Sequence, residues 1–216
     1  MEIFCLTPMK TDSMTDAAWT RRRFGVLGLA TGLAALAPAH MALALNLTEA
    51  RSLIDRAVAE LTQIINSGQS EAAMLRDFER FFARHADVPT IARSVLGAPA
   101  RSASNAQLRA FTAAFQHYMA NKYGRRFREF IGGEIQVIDG RQVNRYFEII
   151  SSVRLRNQSP FEVRWMVSDR SGQNRFFDMI IEGVSLGITE RAEIGGMLDR
   201  RGGDLDALIA HLQSIG

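Results

Sequence analysis

Hydrophobic residues recur every three or four positions in roughly the first half of residues 45–216, and at every second position after that. The first spacing is typical of amphipathic helices and the second of strands with one buried face. Asn46 and Glu49 have the spacing of a capping box, which predicts the start of a first helix. Ser70 is the predicted cap of a second helix, and Pro89 suits the first turn of a third.

A longer fourth helix is predicted after Ser104 and Gln107, which form a second capping box. Its apolar stripe carries three aromatic residues, Phe111, Phe115 and Tyr118. Gly124 is expected to bend this helix before two further phenylalanines.

The alternating pattern begins at Ile135 and predicts strands separated by polar turns. The predicted strands are a short one at 135–137, followed by 146–156, 161–167 and 174–181. Two helices, 189–200 and 205–215, are predicted to close the chain. Because helices and strands are segregated along the sequence, the pattern predicts an α+β fold with an antiparallel sheet. The apolar face of that sheet needs a cover, which the N-terminal helices supply.

The first 44 residues have the order of an export signal. Three arginines, Arg21 to Arg23, precede Phe24 and a moderately apolar stretch, and a small-residue site follows at Ala42-Leu43-Ala44. We expect residues 1–44 to be a twin-arginine signal peptide cleaved near Ala44, and residues 45–216 to be one soluble domain in a bacterial periplasm. The stretch is shorter than the ~20 residues of a spanning helix, although a retained anchor stays the alternative. The true start is Met1, Met9 or Met14.

The inventory of reactive residues is nearly empty. The single cysteine, Cys5, lies ahead of the expected cleavage site, and the histidines after it lack metal-ligand spacing. No nucleotide-binding loop, nucleophile elbow or zinc motif occurs in the sequence. With 26 basic and 23 acidic residues, the charge is close to balance and favours no nucleic-acid partner. We therefore expect no catalytic residue, no cofactor and no metal.

Two polar features each have a structural and a functional interpretation. A basic cluster at the end of the fourth helix is typical of a solvated helix terminus, or would contact anionic headgroups or a docking partner. Its members are Lys122, Arg125, Arg126 and Arg128. Asp178 is either a buried acid or base, or an acceptor that fixes the turn at Gly183-Val184-Ser185; we favour the second interpretation.

Several segments resemble the MlaC family of periplasmic phospholipid-shuttle proteins, also called the toluene-tolerance family. Residues 87–97 match a short helix that ends in a leucine-glycine pair, and residues 111–123 match its series of spaced aromatics. Residues 178–186, an aspartate followed by a glycine-valine-serine turn, are the most diagnostic piece. Family members often carry an aromatic residue where this chain has Glu190, and a tryptophan where it has Asn174.

The resemblance implies a curved, NTF2-like sheet covered by helices and closed by the C-terminal helices, around an internal apolar cavity. It implies phospholipid as the cargo. An outer-membrane lipoprotein complex and an inner-membrane ABC transporter complex would be the partners, in support of outer-membrane lipid asymmetry and without catalysis. A sister group associated with hopanoids leaves another lipid as an alternative. Two other hypotheses remain. One is a small NTF2-like enzyme with Asp178 as general base, and the other is a purely structural partner protein.

Under this resemblance, the lipid would contact the apolar faces of the helices and the sheet. Periodicity alone does not distinguish such faces from those of an ordinary filled core. The predicted lipid-binding residues are Val95, Leu96, Phe111, Phe115, Tyr118, Phe147, Ile149, Val163, Trp165, Phe177 and Met179. The residues predicted to build the turn after the last strand are Asp178, Gly183 and Ser185.

Overall fold

The computed structural model describes residues 45–215, and the predicted signal peptide lies outside them. The helices are α1 Leu47–Ile65, α2 Glu71–His85, α3 Val88–Leu96, α4 Asn105–Gly124, α5 Leu186–Asp199 and α6 Leu205–Ile215, with 3₁₀ helices at Ala98–Arg101 and Arg125–Phe130. The strands are β1 Glu134–Val143, β2 Tyr146–Arg154, β3 Phe161–Ser168, β4 Arg175–Ile181 and β5 Val184–Ser185. This arrangement confirms the predicted α+β class. Within residues 45–215, no helix is both long and apolar enough to cross a bilayer.

The two predicted capping boxes are present and begin α1 and α4. Asn46 Oδ1 accepts a hydrogen bond from Glu49 N at 2.9 Å, and Glu49 Oε2 accepts one from Asn46 N at 3.2 Å. Ser104 and Gln107 exchange the equivalent pair, both at 3.1 Å. Each box satisfies two backbone donors that a helix start would otherwise leave unpaired.

The end of α4 differs from the predicted bend. The helix stops at Gly124, and the chain continues as a 3₁₀ helix to Phe130. Gly124 packs closely on α2, since a Cβ atom at this position would lie 2.5 Å from Leu75 Cδ2. This close approach brings the 3₁₀ helix next to α2 and the start of β1.

The sheet is an antiparallel meander in the order β1-β2-β3-β4-β5. β1 is longer than predicted, β5 was not predicted, and α5 begins three residues earlier than expected, at Leu186. Two register shifts interrupt the pairing, one between Val137 and Asp139 and one opposite Met166 and Val167, where β4 has an extra residue, Phe177. Such bulges increase the twist of a strand and change the face to which nearby side chains point.

The helices cover the inner face of the sheet. α1 packs on β1 and β2, α4 packs against α2, α3 and α6, and α5 contacts α3 and β4. The first half of α4 is tightly packed, because Phe111 and Phe115 are both 0% exposed. Its second half, together with α2 and the 3₁₀ helix, faces the sheet across an unfilled space.

Candidate functional site

A cavity of about 630 Å³ lies between the inner face of the sheet and the helices. Most of its wall is hydrocarbon, which makes it suitable for an apolar ligand. The apolar wall consists of Leu61, Phe78, Phe81, Phe82, Met119, Tyr123, Phe127, Phe130, Ile135, Val153, Leu155, Phe161, Val163, Trp165, Phe176, Met179, Ile181, Val184 and Leu186.

The helical wall is built mainly from α2. Phe78, Phe81 and Phe82 follow the i, i+3, i+4 spacing that places side chains on one helix face. The ring of Phe78 meets that of Phe127 edge-on at 4.4 Å between centroids, which joins α2 to the 3₁₀ helix. Edge-to-face contacts of this kind hold aromatic rings in defined orientations. Contacts between aromatic rings of α2 and the 3₁₀ helix therefore hold the side chains of the helical wall in place.

The sheet wall is centred on Trp165. Its indole Nε1 donates a hydrogen bond to Ser151 Oγ at 3.0 Å, and its ring meets Phe176 edge-on at 5.3 Å. Because the polar atom of the indole is satisfied inside the sheet layer, a hydrocarbon surface faces the cavity.

One end of the cavity opens to solvent through a ring of exposed polar side chains, which we call the mouth. The mouth is made of Arg126, Glu129, Gln158, Ser159 and Glu182. The meander explains why they meet: the start of β1, the end of β2, the start of β3 and the end of β4 all lie at the same end of the sheet. Among the described residues that line the cavity, the apolar ones thus form the interior and the polar ones lie together at one end.

At its inner side the cavity adjoins a second, much smaller space of about 30 Å³. Side chains of Phe82, Met119, Met179 and Leu186 line both spaces.

Three of the eleven predicted lipid-binding residues, Val163, Trp165 and Met179, line the large cavity. Phe177 lines the small space, where the β4 bulge turns it out of register and its ring packs on Tyr146 at 5.6 Å. The other seven do not line either cavity and lie in the packed core: Val95, Leu96, Phe111, Phe115, Tyr118, Phe147 and Ile149. Their contact with lipid stays a prediction.

The seven residues are buried, as their apolar stripes predict, but the cavity occupies only one end of the interior. The α2 phenylalanines and the 3₁₀ residues Phe127 and Phe130 were not among the predicted site residues, although they line the cavity. Their signal was visible as an apolar stripe. The sequence did not reveal that α2 lies opposite the part of the sheet that lines the cavity.

The turn after β4 is organised by Asp178. Its Oδ2 accepts a hydrogen bond from Ser185 Oγ at 2.7 Å, and its Oδ1 accepts one from Gly187 N at 2.9 Å. Ser185 Oγ in turn accepts from Ile188 N at 3.1 Å, so that it caps α5. Glu182 and Gly183 have φ angles of +50° and +82°, as a two-residue hairpin turn requires.

Both oxygens of Asp178 are thus occupied by donors of the turn, and the residue does not line the large cavity. We expect Asp178→Ala to lower the free energy of unfolding by about 1–3 kcal/mol, because it leaves the Gly187 N–H without its acceptor. Urea unfolding measures this change. Asp199→Ala, on the exposed end of α5, is the control and should change stability by less than about 0.5 kcal/mol. Equal stability of the two variants would contradict the turn-forming role.

The basic cluster is divided by the structure. Lys122 Nζ lies 2.7 Å from Glu190 Oε1 and 2.5 Å from Glu193 Oε2, so it is not available to a headgroup or a partner. Arg128 pairs with Glu71 at 2.9 Å on the surface. Of the four cluster residues, only Arg126 lines the cavity.

Glu190 and its partners form a buried polar group between α4 and α5. Glu190 is 1% exposed, and Tyr123 donates a hydrogen bond to its Oε1 at 2.5 Å, while Tyr118 donates one to Glu193 Oε1 at 2.8 Å. Burial, followed by hydrogen bonding to the glutamates, raises the pKa of both tyrosines, which therefore remain donors. Burial alone would lower the pKa of Lys122, but hydrogen bonds to Glu190 and Glu193 raise it overall.

Acid should weaken this contact. The hydrogen bond from Lys122 holds the pKa of Glu193 below its ordinary value of 4.5. A lowered folded-state pKa stabilises the fold fully above the unfolded pKa, and that contribution is lost as the pH falls through the folded value. We expect the unfolding free energy to fall as the pH decreases below the ordinary value of 4.5, and Glu193→Gln to show a shallower fall. Urea unfolding midpoints of the wild-type protein and Glu193→Gln, measured as a function of pH, test this expectation. If the two midpoints fell in parallel, the expectation would be contradicted.

Fold and cavity together define an α+β protein that surrounds an apolar chamber with a polar opening. Among residues 45–215, no group of three or more His, Cys, Asp or Glu side chains is placed to hold a metal. The sequence model of the MlaC protein family matches residues 55–214, and the chain belongs to this family. The predicted family is therefore confirmed.

A solved structure has the same fold. It is the phospholipid-binding protein from Ralstonia solanacearum, determined in complex with a phospholipid. The two structures superpose with a TM-score of 0.66, covering 77% of this chain and 96% of the other, at 16% sequence identity. The similarity establishes a shared fold.

Proposed function

We propose that this protein binds a phospholipid, with its acyl chains in the 630 Å³ cavity and its headgroup at the mouth. The observation that carries the proposal is the cavity itself, an unfilled apolar space in an interior that would otherwise be close-packed. Membership of the MlaC family and the phospholipid in the structure from Ralstonia solanacearum support the same ligand class.

The energetics suit a carrier. Exposure of about 30 methylenes to water would cost on the order of 24 kcal/mol, at ~0.8 kcal/mol each. An apolar cavity removes most of this cost, and so does a bilayer. Transfer between the two is then close to isoenergetic, so the protein can both take up and release its cargo without a chemical step.

No catalytic group is needed for this function. The wall residues contribute hydrophobic contact, and the aspartate considered as a general base, Asp178, has both oxygens engaged in the turn. We infer a binding and transfer protein in which phospholipid is cargo, without a cofactor.

The cellular part of the proposal rests on the export signal predicted in residues 1–44 and on membership of the family. The protein would be exported by the twin-arginine route, carry phospholipid through the periplasm between an outer-membrane lipoprotein complex and an inner-membrane ABC transporter complex, and support outer-membrane lipid asymmetry. Export is tested by the mature N-terminus: Edman or mass-spectrometric sequencing of the periplasmic protein should begin near Leu45.

Lipid extraction is the direct test of the ligand. The protein is purified from the periplasm of a bacterial host without detergent, and its extract is analysed by mass spectrometry. We expect about one phospholipid per chain. A stoichiometric hopanoid would transfer the proposal to another lipid class, and a protein free of any amphiphile would contradict it.

A further inference from the structure

The mouth carries one cation and two anions. Arg126 and Glu129 come from the 3₁₀ helix, while Glu182 comes from the β4–β5 turn. Gln158 and Ser159, from the β2–β3 turn, add neutral hydrogen-bonding groups. A lipid whose chains fill the cavity must leave its headgroup among these five side chains.

The arrangement leaves carboxylate charge unmatched. Arg126 and Glu129 form only a long contact, 3.5 Å between Nη2 and Oε2, and both side chains are more than half exposed. Within residues 45–215, Glu182 takes part in no ion pair. The ring therefore offers a guanidinium to a phosphate and a free carboxylate to a cation.

We propose that the mouth selects phospholipids whose headgroup ends in a cation, such as an ethanolamine amine, over net-anionic headgroups such as phosphoglycerol. Arg126 binds the phosphate, because a guanidinium matches phosphate geometry. Glu182 and Glu129 accept hydrogen bonds from the terminal ammonium. A phosphoglycerol headgroup brings the same phosphate, and its hydroxyls can donate hydrogen bonds to the carboxylates, but it does not offset their charge. This inference rests on the proposed function and names its substrate class.

The cations around the mouth do not provide this selectivity. Arg125 and Arg156 are exposed but do not line the cavity, and Arg128 is paired with Glu71. Their solvent-exposed field is screened, and it acts on the phosphate that both kinds of headgroup share. The discrimination depends on the two carboxylates, whose charge only a cationic headgroup terminus offsets.

The test is a competition. The delipidated full-length mature protein is incubated with vesicles containing equal amounts of phosphatidylethanolamine and phosphatidylglycerol with identical chains, and the bound lipids are quantified by mass spectrometry. We expect about a two- to fivefold preference for the ethanolamine lipid, the range that exposed ion pairs produce. Loading without preference would overturn this inference and leave the proposed function intact; absence of loading would overturn both.

Charge removal at the mouth makes the test specific. Glu182→Asn should abolish most of the preference, and it should not unfold the protein, because asparagine tolerates the positive φ at this position better than glutamate. Glu129→Gln should reduce it as well. Asp199→Asn removes an exposed carboxylate outside the mouth and should keep the wild-type preference. An unchanged preference in Glu182→Asn and Glu129→Gln would overturn the assignment.

Arg126→Gln tests the phosphate contact. It should lower the loading of both phospholipids about two- to fivefold relative to diacylglycerol, which has no phosphate. Soluble glycerophosphoethanolamine in excess should not displace bound lipid, since the acyl chains supply the affinity. Displacement by this compound would show that the mouth is a site for free small molecules, and would overturn the inference.

Discussion

Lys122→Met should destabilise the protein by about 3 kcal/mol, because it removes the cation beside a buried carboxylate. Glu190 is 1% exposed, and its Oε2 has no hydrogen-bond partner among the described residues. Without Lys122, one hydrogen bond from Tyr123 would be its main remaining compensation. Urea or thermal unfolding measures the loss. Arg128→Met, which breaks the exposed pair with Glu71, is the control and should cost less than about 1 kcal/mol.

A second variant separates the loss of a charge from the loss of a side chain. Replacing a whole buried pair by apolar residues is often neutral or stabilising. We expect Lys122→Met combined with Glu190→Phe to recover most of the stability that Lys122→Met loses. The remaining partner, Glu193, has a side chain that is 40% exposed and can be hydrated. If the double variant were no more stable than Lys122→Met, burial of an unpaired charge would not be the cause.

Filling the cavity should strongly reduce lipid loading without unfolding the protein. Val153 and Val163 lie on neighbouring strands, and both line the cavity. Phenylalanine at both positions would displace at least about four methylenes of an acyl chain, or ~3 kcal/mol of burial. This corresponds to more than a hundredfold loss of affinity. Mass spectrometry of co-purified lipid and thermal unfolding test both parts of the expectation.

The matched control is Val167, which lies on the same face of β3 as Val163. Val167 is 0% exposed and does not line the cavity, so phenylalanine there has no room and should destabilise the fold by about 1–3 kcal/mol. A Val153→Phe/Val163→Phe variant that lost as much stability as Val167→Phe would indicate a filled interior. One that stayed stable and still carried lipid would contradict the assignment of this cavity as the binding site.

The elements of the fold were largely predictable because their signals are local. Asn46 and Ser104 cap helices through side-chain contacts three residues away. Polar turns separate the strands at the predicted places, although the β4–β5 hairpin was missed. The predicted end of α4 was less accurate. The close approach of Gly124 to Leu75, a residue distant in sequence, is not visible in local spacing.

The site was predictable only in part. Alternation placed Phe177 and Met179 on one face of β4, but the bulge places Phe176 and Met179 on the cavity wall and turns Phe177 away from it. Whether a strand contains a bulge depends on its pairing partner, which a period of two does not reveal.

The group around Glu190 shows the same distinction. The sequence drew attention to Lys122 as a member of a basic cluster, and to Glu190 as a departure from the family pattern. Their contact spans 68 residues, and it depends on α4 and α5 lying side by side. The ion pair therefore explains both the glutamate at position 190 and the lysine at position 122. Neither position reveals this contact when it is considered alone.

The amino-acid sequence alone determined the class of fold, the family and the start of most helices, because capping, periodicity and turn chemistry act over a few residues. Only the tertiary structure decided where the interior is hollow, which polar side chains surround its opening and which charges are buried. These properties depend on distances between elements far apart in the chain, and a hydrophobic position has the same signature whether it faces another side chain or an empty space.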